Sequence, residues 1–165
     1  MIIRPEHPAD TPDIRSLVTS TFRDAARSDG NEAAIVDALR ADGILTVSLV
    51  AEDEGRIVGH VAFSPVAVNS QDIGWFGLGP VAVRREKRRR GIGAALIEAG
   101  LKRLEVLGAR GCVVLGDPAY YGRFGFQSDP GLRFGDASSE HFQRLVIEGE
   151  PPQGVVTYSP AFFVG

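Results

Sequence analysis

The spacing of apolar residues along this chain changes period several times, and each change marks an element. Ile14, Leu17, Val18, Phe22 and Ala25 recur at helical spacing behind Thr11, a candidate cap, and Pro12, which suits a first helical position. Asn31 opens a second helical pattern with Ile35, Ala38 and Leu39 on one side, and Gly43 supplies a stop. Ahead of both, residues 1–4 form a short strand candidate closed by Pro5 and Pro8. Residues 44–51 and 57–68 are rich in β-branched side chains and flank Glu52-Asp53-Glu54-Gly55-Arg56, which predicts a hairpin turn. A second turn at Asn69-Ser70-Gln71-Asp72 returns the chain into residues 73–83, so three antiparallel strands form a meander. Gly77, Gly79 and Pro80 interrupt the third strand and predict a distortion, because proline removes a ladder donor and glycine marks bulges.

From Gly91 the helical period returns, with Ile92, Leu96, Ala99, Leu104 and Leu107 directed to the core and Gly108 as the stop. Residues 111–116 (GCVVLG) read as a short apolar strand, parallel to its predecessor because a helix intervenes. Asp117 caps a short helix with Pro118 at its first position. The remainder mixes strand candidates at residues 144–148 and 155–158 with Gly and Pro turns. Without repeat, linker or low-complexity segment, residues 1–165 are expected to form a single domain.

Composition narrows this picture by exclusion. The hydrophobic fraction of 44% and charged fraction of 24% are ordinary for a globular protein. The first residues lack the apolar run of a signal peptide, and nothing approaches the ~18 apolar residues of a membrane span, so a cytoplasmic location without membrane contact is expected. The single Cys112 excludes an intrachain disulfide, and Cys and His are too few at ligand spacing for zinc, so no metal is expected. A net charge of −3 argues against a nucleic-acid binder.

The charge is nevertheless unevenly distributed. Arg84 to Arg90 holds six of the chain's 18 Lys and Arg and only one of its 21 acids, and it leads through Gly91-Ile92-Gly93 into a helix. A helix N-terminus offers unpaired N–H groups and partial positive charge, and glycines let that backbone approach a phosphate. The competing readings are a solvated loop or a nucleic-acid patch; the position before a glycine-led helix favours phosphate. A dinucleotide fingerprint is excluded, because Leu96 stands where the pattern wants a small residue and a long basic turn separates strand from glycines. Cys112, in an apolar strand, reads as a small buried hydrophobe. His60 is a core or cleft histidine or a candidate base, and Glu32 and Asp72 are acids that could meet a cationic amine.

The order of elements and three of these motifs resemble the GCN5-related N-acetyltransferase (GNAT) family. Arg88-Arg89-Arg90-Gly91-Ile92-Gly93 is similar to its acyl-CoA pyrophosphate loop, residues 78–83 (LGPVAV) to its pantetheine-binding central strand, and Tyr121-Gly122-Arg123-Phe124-Gly125-Phe126 to its Tyr-Gly-Phe signature. LGPVAV and GDPAYYGRFGF look most like the family's YhbS-like bacterial branch. The resemblance implies an α/β acyl-CoA N-acyltransferase fold: a mixed, mostly antiparallel sheet, splayed at its centre, with flanking helices. It implies acetyl-CoA as co-substrate and a small-molecule or peptide primary amine as acceptor; a homodimer is compatible with this reading. CoA would be bound by Leu78, Val81, Ala82, Val83, Arg88, Arg89, Arg90, Gly91, Ile92, Gly93 and Ala94, with Tyr121 as general acid and Tyr120 a packing residue. The N–H of Leu78 or Val81 would face the oxyanion. There are two departures from the family pattern: Val114 and Asp117 stand where many members have Asn and Ala, and residues 75–83 contain no acid, which leaves the general base unassigned. The rival reading is a non-catalytic acyl-CoA-binding or protein-interaction module on the same fold.

Overall fold

A computed structural model describes residues 1–23, 30–138 and 140–163. Strand β1 (Ile2–Pro5) leads into helices α1 (Thr11–Phe22) and α2 (Glu32–Ala41), and the meander follows as β2 (Val47–Asp53), β3 (Arg56–Val68) and β4 (Trp75–Val83). The β2–β3 turn is tighter than the five residues predicted: Glu54 and Gly55 alone make it, both at positive φ (52° and 76°), the geometry that matches the twist of a hairpin. Helix α3 (Ile92–Val106) crosses to β5 (Gly111–Leu115), which is parallel to β4 as expected for a helical crossover. The short α4 (Pro118–Tyr121) starts at Asp117, whose Oδ1 accepts the Ala119 N–H at 2.9 Å. The chain ends through β6 (Gln127–Ser128), β7 (Leu132–Arg133), β8 (Phe142–Val146) and β9 (Gly154–Tyr158).

The sheet runs β1-β2-β3-β4-β5-β8-β6, and β9 pairs with both β3 and β7. One face is covered by α1 and α2. There Ile14, Leu17, Val18 and Val36 are buried against Val50, Ile57 and Ala82 of the sheet, each side chain contributing about 1.5–3 kcal/mol for removal from water. The other face carries α3, whose buried residues are Ile92, Leu96, Ile97, Gly100 and Leu104. Gly100 is required there, since a β-carbon would stand 2.1 Å from Phe63 Cε1.

Two local expectations are corrected. Asp10 rather than Thr11 takes the N-cap position of α1, and Thr11 is its first helical residue. Leu107 lies beyond the end of α3 and is 60% exposed, while Ile97 takes the core position that the apolar stripe had not included. Ala25, assigned to the buried face of the first helix, lies outside the described residues.

The feature that shapes the molecule is in β4. Its pairing with β3 slips between Val61, opposite Val81, and Phe63, opposite Leu78, so β4 carries one extra residue around Gly79-Pro80, a peptide in the cis form. This is the predicted distortion, a bulge at the residue that has no N–H to give. On its other edge β4 pairs with β5 only at Trp75–Gly111, Phe76–Cys112 and Gly77–Val113. Trp75 packs over Gly111 at this closed end, where a β-carbon would meet the indole at 2.4 Å. From Leu78 and Val114 onward the strands separate, and the sheet opens as a V.

Candidate active site

The V is a cleft of about 520 Å³. Leu78, Gly79, Pro80 and Val81 form one wall, Val114 and Leu115 the other, and Tyr121 lines it from the turn after β5. Beyond Gly77 the β5-facing edge of β4 has no strand partner among the described residues, so backbone N–H groups directed that way are open to a ligand. The ring of Tyr121 fits because residue 116 is glycine: a β-carbon there would lie 2.4 Å from Tyr121 Cε2. Edge-on packing against Tyr120 (centroids 5.0 Å apart) and Phe126 (6.0 Å) holds the ring. Burial, with smaller contributions from Tyr120 and Cys112, pushes the Tyr121 phenol up to about 12, so it keeps its proton at neutral pH.

A second concavity, about 310 Å³, lies at the start of α3. Val83, Arg88, Arg89, Gly91, Ile92, Gly93 and Ala94 line it. Gly91 is the N-cap of α3 at φ 77°, and Arg89 is also in the left-handed region at φ 66°. Left-handed backbone of this kind is what anion-binding nests are built from, and here it stands directly before the helix N-terminus.

The structure divides the candidate residues. Leu78 and Val81 belong to the cleft; Val83 and the loop residues 88, 89 and 91–94 belong to the cradle. Ala82 points away from both, 1% exposed among the α1 residues, and Arg90 is exposed and lines neither. Part of the basic run serves the fold itself. Arg84 Nε donates to Ile57 O at 2.9 Å, Lys87 pairs with Asp53 at 3.2 Å, and Arg88 Nε donates to Val83 O at 3.3 Å.

Tyr120 packs against the core as expected, and it also lines the cradle. It lines the cradle with Arg123, whose guanidinium sits 4.6 Å over its ring, and its hydroxyl is 3.4 Å from where a β-carbon of Gly93 would be. Neighbouring tyrosines therefore face the two concavities, Tyr120 the cradle and Tyr121 the cleft. A sequence signal exists for Arg123, since it follows Tyr120 by three residues in a helical turn, the spacing at which side chains meet. No such signal marks Phe22, Phe134, Tyr158, Phe162 and Phe163, which close the far end of the cleft from remote parts of the chain.

The other candidates separate cleanly. Cys112 is fully buried, and burial raises its thiol well above the usual range. His60 is fully buried and lines neither concavity; its Nε2 is 2.8 Å from Ser48 Oγ, and burial pushes it down to about 4. Asp72 accepts the Gly74 N–H at 3.2 Å in the β3–β4 turn, away from the cleft. Glu32 does line the cleft.

A cleft between splayed parallel strands, joined to a glycine-led anion cradle, has relatives. Residues 45–128 match the acetyltransferase (GNAT) domain family. The N-acetyltransferase YhbS of Escherichia coli K12 is 45% identical over 128 residues, which span 77% of this chain and 74% of that protein. The chain belongs to the GNAT family. A GNAT acetyltransferase from Brucella melitensis, solved with acetyl-CoA, superposes with a TM-score of 0.89 at 46% identity and covers 98% of this chain and 97% of that one. YhbS from Escherichia coli, solved with CoA, superposes at 0.90 with 37% identity, covering 99% and 92%. The GNAT fold expected from the sequence is the fold observed, and family membership makes the chain an acyltransferase. Among the described residues no helix is long and apolar enough to cross a membrane.

Proposed function

We propose that this GNAT enzyme transfers an acetyl group from acetyl-CoA to a primary amine by direct attack. The observation that carries the reading is the tyrosine pair that joins cradle to cleft, with ring centroids 5.0 Å apart, Tyr120 on the anion side and Tyr121 on the apolar side. An acyl-CoA has this bipartite chemistry, a pyrophosphate at one end and a thioester at the other. The pyrophosphate occupies the nest of Arg88, Arg89 and Gly91 to Ala94, with Arg90 adding charge from outside. Pantetheine runs along the open edge of β4 from Val83 through Ala82 and Val81 to Leu78, using backbone groups, and the thioester reaches the splay beside Tyr121. The relatives solved with acetyl-CoA and with CoA support an acyl-CoA as the ligand.

In the reaction the amine lone pair forms the N–C bond to the thioester carbonyl. The tetrahedral oxyanion takes a hydrogen bond from an unpaired N–H of β4, at Leu78 or Val81. The C–S bond then breaks as the carbonyl re-forms, and the leaving thiolate takes the phenolic proton of Tyr121. The tyrosinate recovers the proton that the new amide nitrogen loses, so a proton passes from nitrogen to sulfur without net change.

Donation from a phenol near 12 to a thiolate of ordinary pKa about 8.5 is uphill by roughly 5 kcal/mol. Desolvation of the thiolate in the same cleft raises its proton affinity and reduces that gap. The test is release of CoA thiol by purified protein with acetyl-CoA and a panel of primary amines, the acetylated amine being identified by mass. CoA binding without amine-dependent thiol release would reduce the protein to an acyl-CoA-binding module.

A further inference from the structure

The cradle at the start of α3 receives positive charge from outside the basic loop. Among the described residues that line it there is no acid, and the cations are Lys87, Arg88, Arg89 and Arg123. Lys87 pairs with Asp53, and Arg88 gives its Nε–H to Val83 O. Neither hydrogen bond nor ion pair joins Arg89 or Arg123 to a described residue.

Arg123 comes from a separate part of the chain, the 3-10 turn Gly122–Phe124 that follows α4. The turn closes where the Gly125 N–H, at φ 97°, donates to Gly122 O at 3.1 Å, and the Phe124 ring meets Tyr120 at 5.5 Å. The Arg123 side chain is exposed, yet it lies on the Tyr120 ring, its guanidinium carbon 4.6 Å from the centroid. Burial, with a smaller contribution from Glu98, raises the Tyr120 phenol against the opposing charge of Arg123. The ring is therefore neutral at neutral pH and leaves the guanidinium its full charge.

A stacked guanidinium uses its face on the ring and keeps its N–H edge, whose fork matches two oxygens of a phosphate. Holding the side chain in place beforehand also reduces the freedom lost on binding. The two phosphoryl groups of a pyrophosphate diester carry one negative charge each, and the two unpaired guanidiniums that line this concavity, Arg89 and Arg123, equal them in number.

Resting on the acyl-CoA reading above, we propose that Arg123 binds the pyrophosphate of CoA from the turn after α4, with Tyr120 as the platform that positions it. The loop and helix N-terminus supply backbone donors, and Arg123 supplies a charged fork that the loop does not contain.

The test is calorimetric and needs no acceptor. Arg123→Met keeps an apolar chain on Tyr120 and removes the charge. Its affinity for CoA and for dephospho-CoA should fall equally, by roughly 10- to 100-fold, the loss of a charge-assisted bond. The salt dependence of CoA binding should become shallower. Pantetheine, which has no phosphate, should bind both proteins alike in NMR titrations, a readout that a distorted cleft would not preserve. Arg123→Lys should recover only part of the affinity, since an ammonium lacks the planar fork. In a Tyr120→Leu background, Arg123→Met should cost less than in the wild type. Additive losses would overturn the platform role of Tyr120. Unchanged CoA affinity in Arg123→Met would overturn the inference and leave the cradle standing, as would an equal loss for pantetheine. A loss for CoA but not for dephospho-CoA would overturn it too, by assigning Arg123 to the 3′-phosphate. A wild-type protein that binds no CoA would overturn the acyl-CoA reading itself, and this inference with it.

Discussion

Gly116 and Tyr121 are matched in shape: the tyrosine ring occupies the space that any side chain at residue 116 would need, with Cε2 2.4 Å from the site of a β-carbon. Gly116→Ala should therefore move the ring without touching the cradle. The expected result is a fall in kcat of roughly 10-fold or more, since small misplacements of a reacting group are costly, with CoA affinity retained in calorimetry. A variant that keeps full turnover would show that the ring's position is not critical.

Tyr121→Phe removes the hydroxyl and keeps the packing against Tyr120 and Phe126. General acid catalysis is typically worth ~100- to 10,000-fold, and kcat should fall within that range where chemistry limits the rate. Acyl donors with a more acidic thiol should lose less, because their thiolate leaves without a proton. Tyr120→Phe should act on acetyl-CoA affinity instead, since its hydroxyl faces the cradle. Undiminished turnover in Tyr121→Phe under chemistry-limited conditions would return that residue to a packing role.

Gly91 has open space around it, so its contribution to the cradle is conformational: it caps α3 at φ 77°, where a β-branched residue is strained. Gly91→Val should pull the loop out of its left-handed conformation and weaken CoA binding roughly 10-fold or more, while Cys112→Ser, buried and lining neither concavity, should leave CoA affinity intact. Equal calorimetric affinity in a folded Gly91→Val variant would sink the cradle assignment.

Much of this architecture is legible in the residues, for local reasons. The bulge in β4 is readable because Gly79-Pro80 interrupts a strand pattern, and the cradle because two glycines separate a basic turn from a helical stripe. The Asp117-Pro118 start of α4 is readable because cap and first-turn residues act within one turn of the chain. What is not legible depends on distance in sequence. Phe134, Tyr158 and Glu32 come to line one cleft although they are far apart in sequence, because β9 pairs with the C-terminal part of β3 and α2 packs near the segment that follows β9. Counting charge in Arg84 to Arg90 cannot reveal that Arg84 and Arg88 are held by backbone carbonyls and Lys87 by Asp53. Leu107 continues the apolar spacing of α3, but the helix stops at Val106 and turns at Gly108, φ 82°, which leaves Leu107 in solvent.

His60 links the sheet to α2 through a polar chain. Ser48 lies between the His60 ring and Glu6, and Glu6 takes two hydrogen bonds of 2.9 Å from Arg40. Burial alone would raise the Glu6 carboxyl, but the bonds from Arg40 and Ser48 outweigh it and hold the group below its usual range. Glu6 is thus a carboxylate that can only accept, so the Ser48 hydroxyl donates to it, and Ser48 oxygen accepts from His60 Nε2–H. Nδ1 is left as a buried lone pair with no partner among the described residues. Protonating it would place a charge in the core, which is why burial pushes His60 from 6.5 down to about 4. Between those two values the unfolded chain binds a proton at this residue and the folded chain does not, so stability falls as the pH falls. Integrated from pH 7 to pH 4, the effect is about 3 kcal/mol. His60→Gln keeps a donor for Ser48 and removes the titration. In urea melts at several pH values, the variant's stability should decline less steeply than the wild type's between pH 6.5 and 4, by up to that amount. Identical slopes would mean that acid sensitivity in this window comes from other groups.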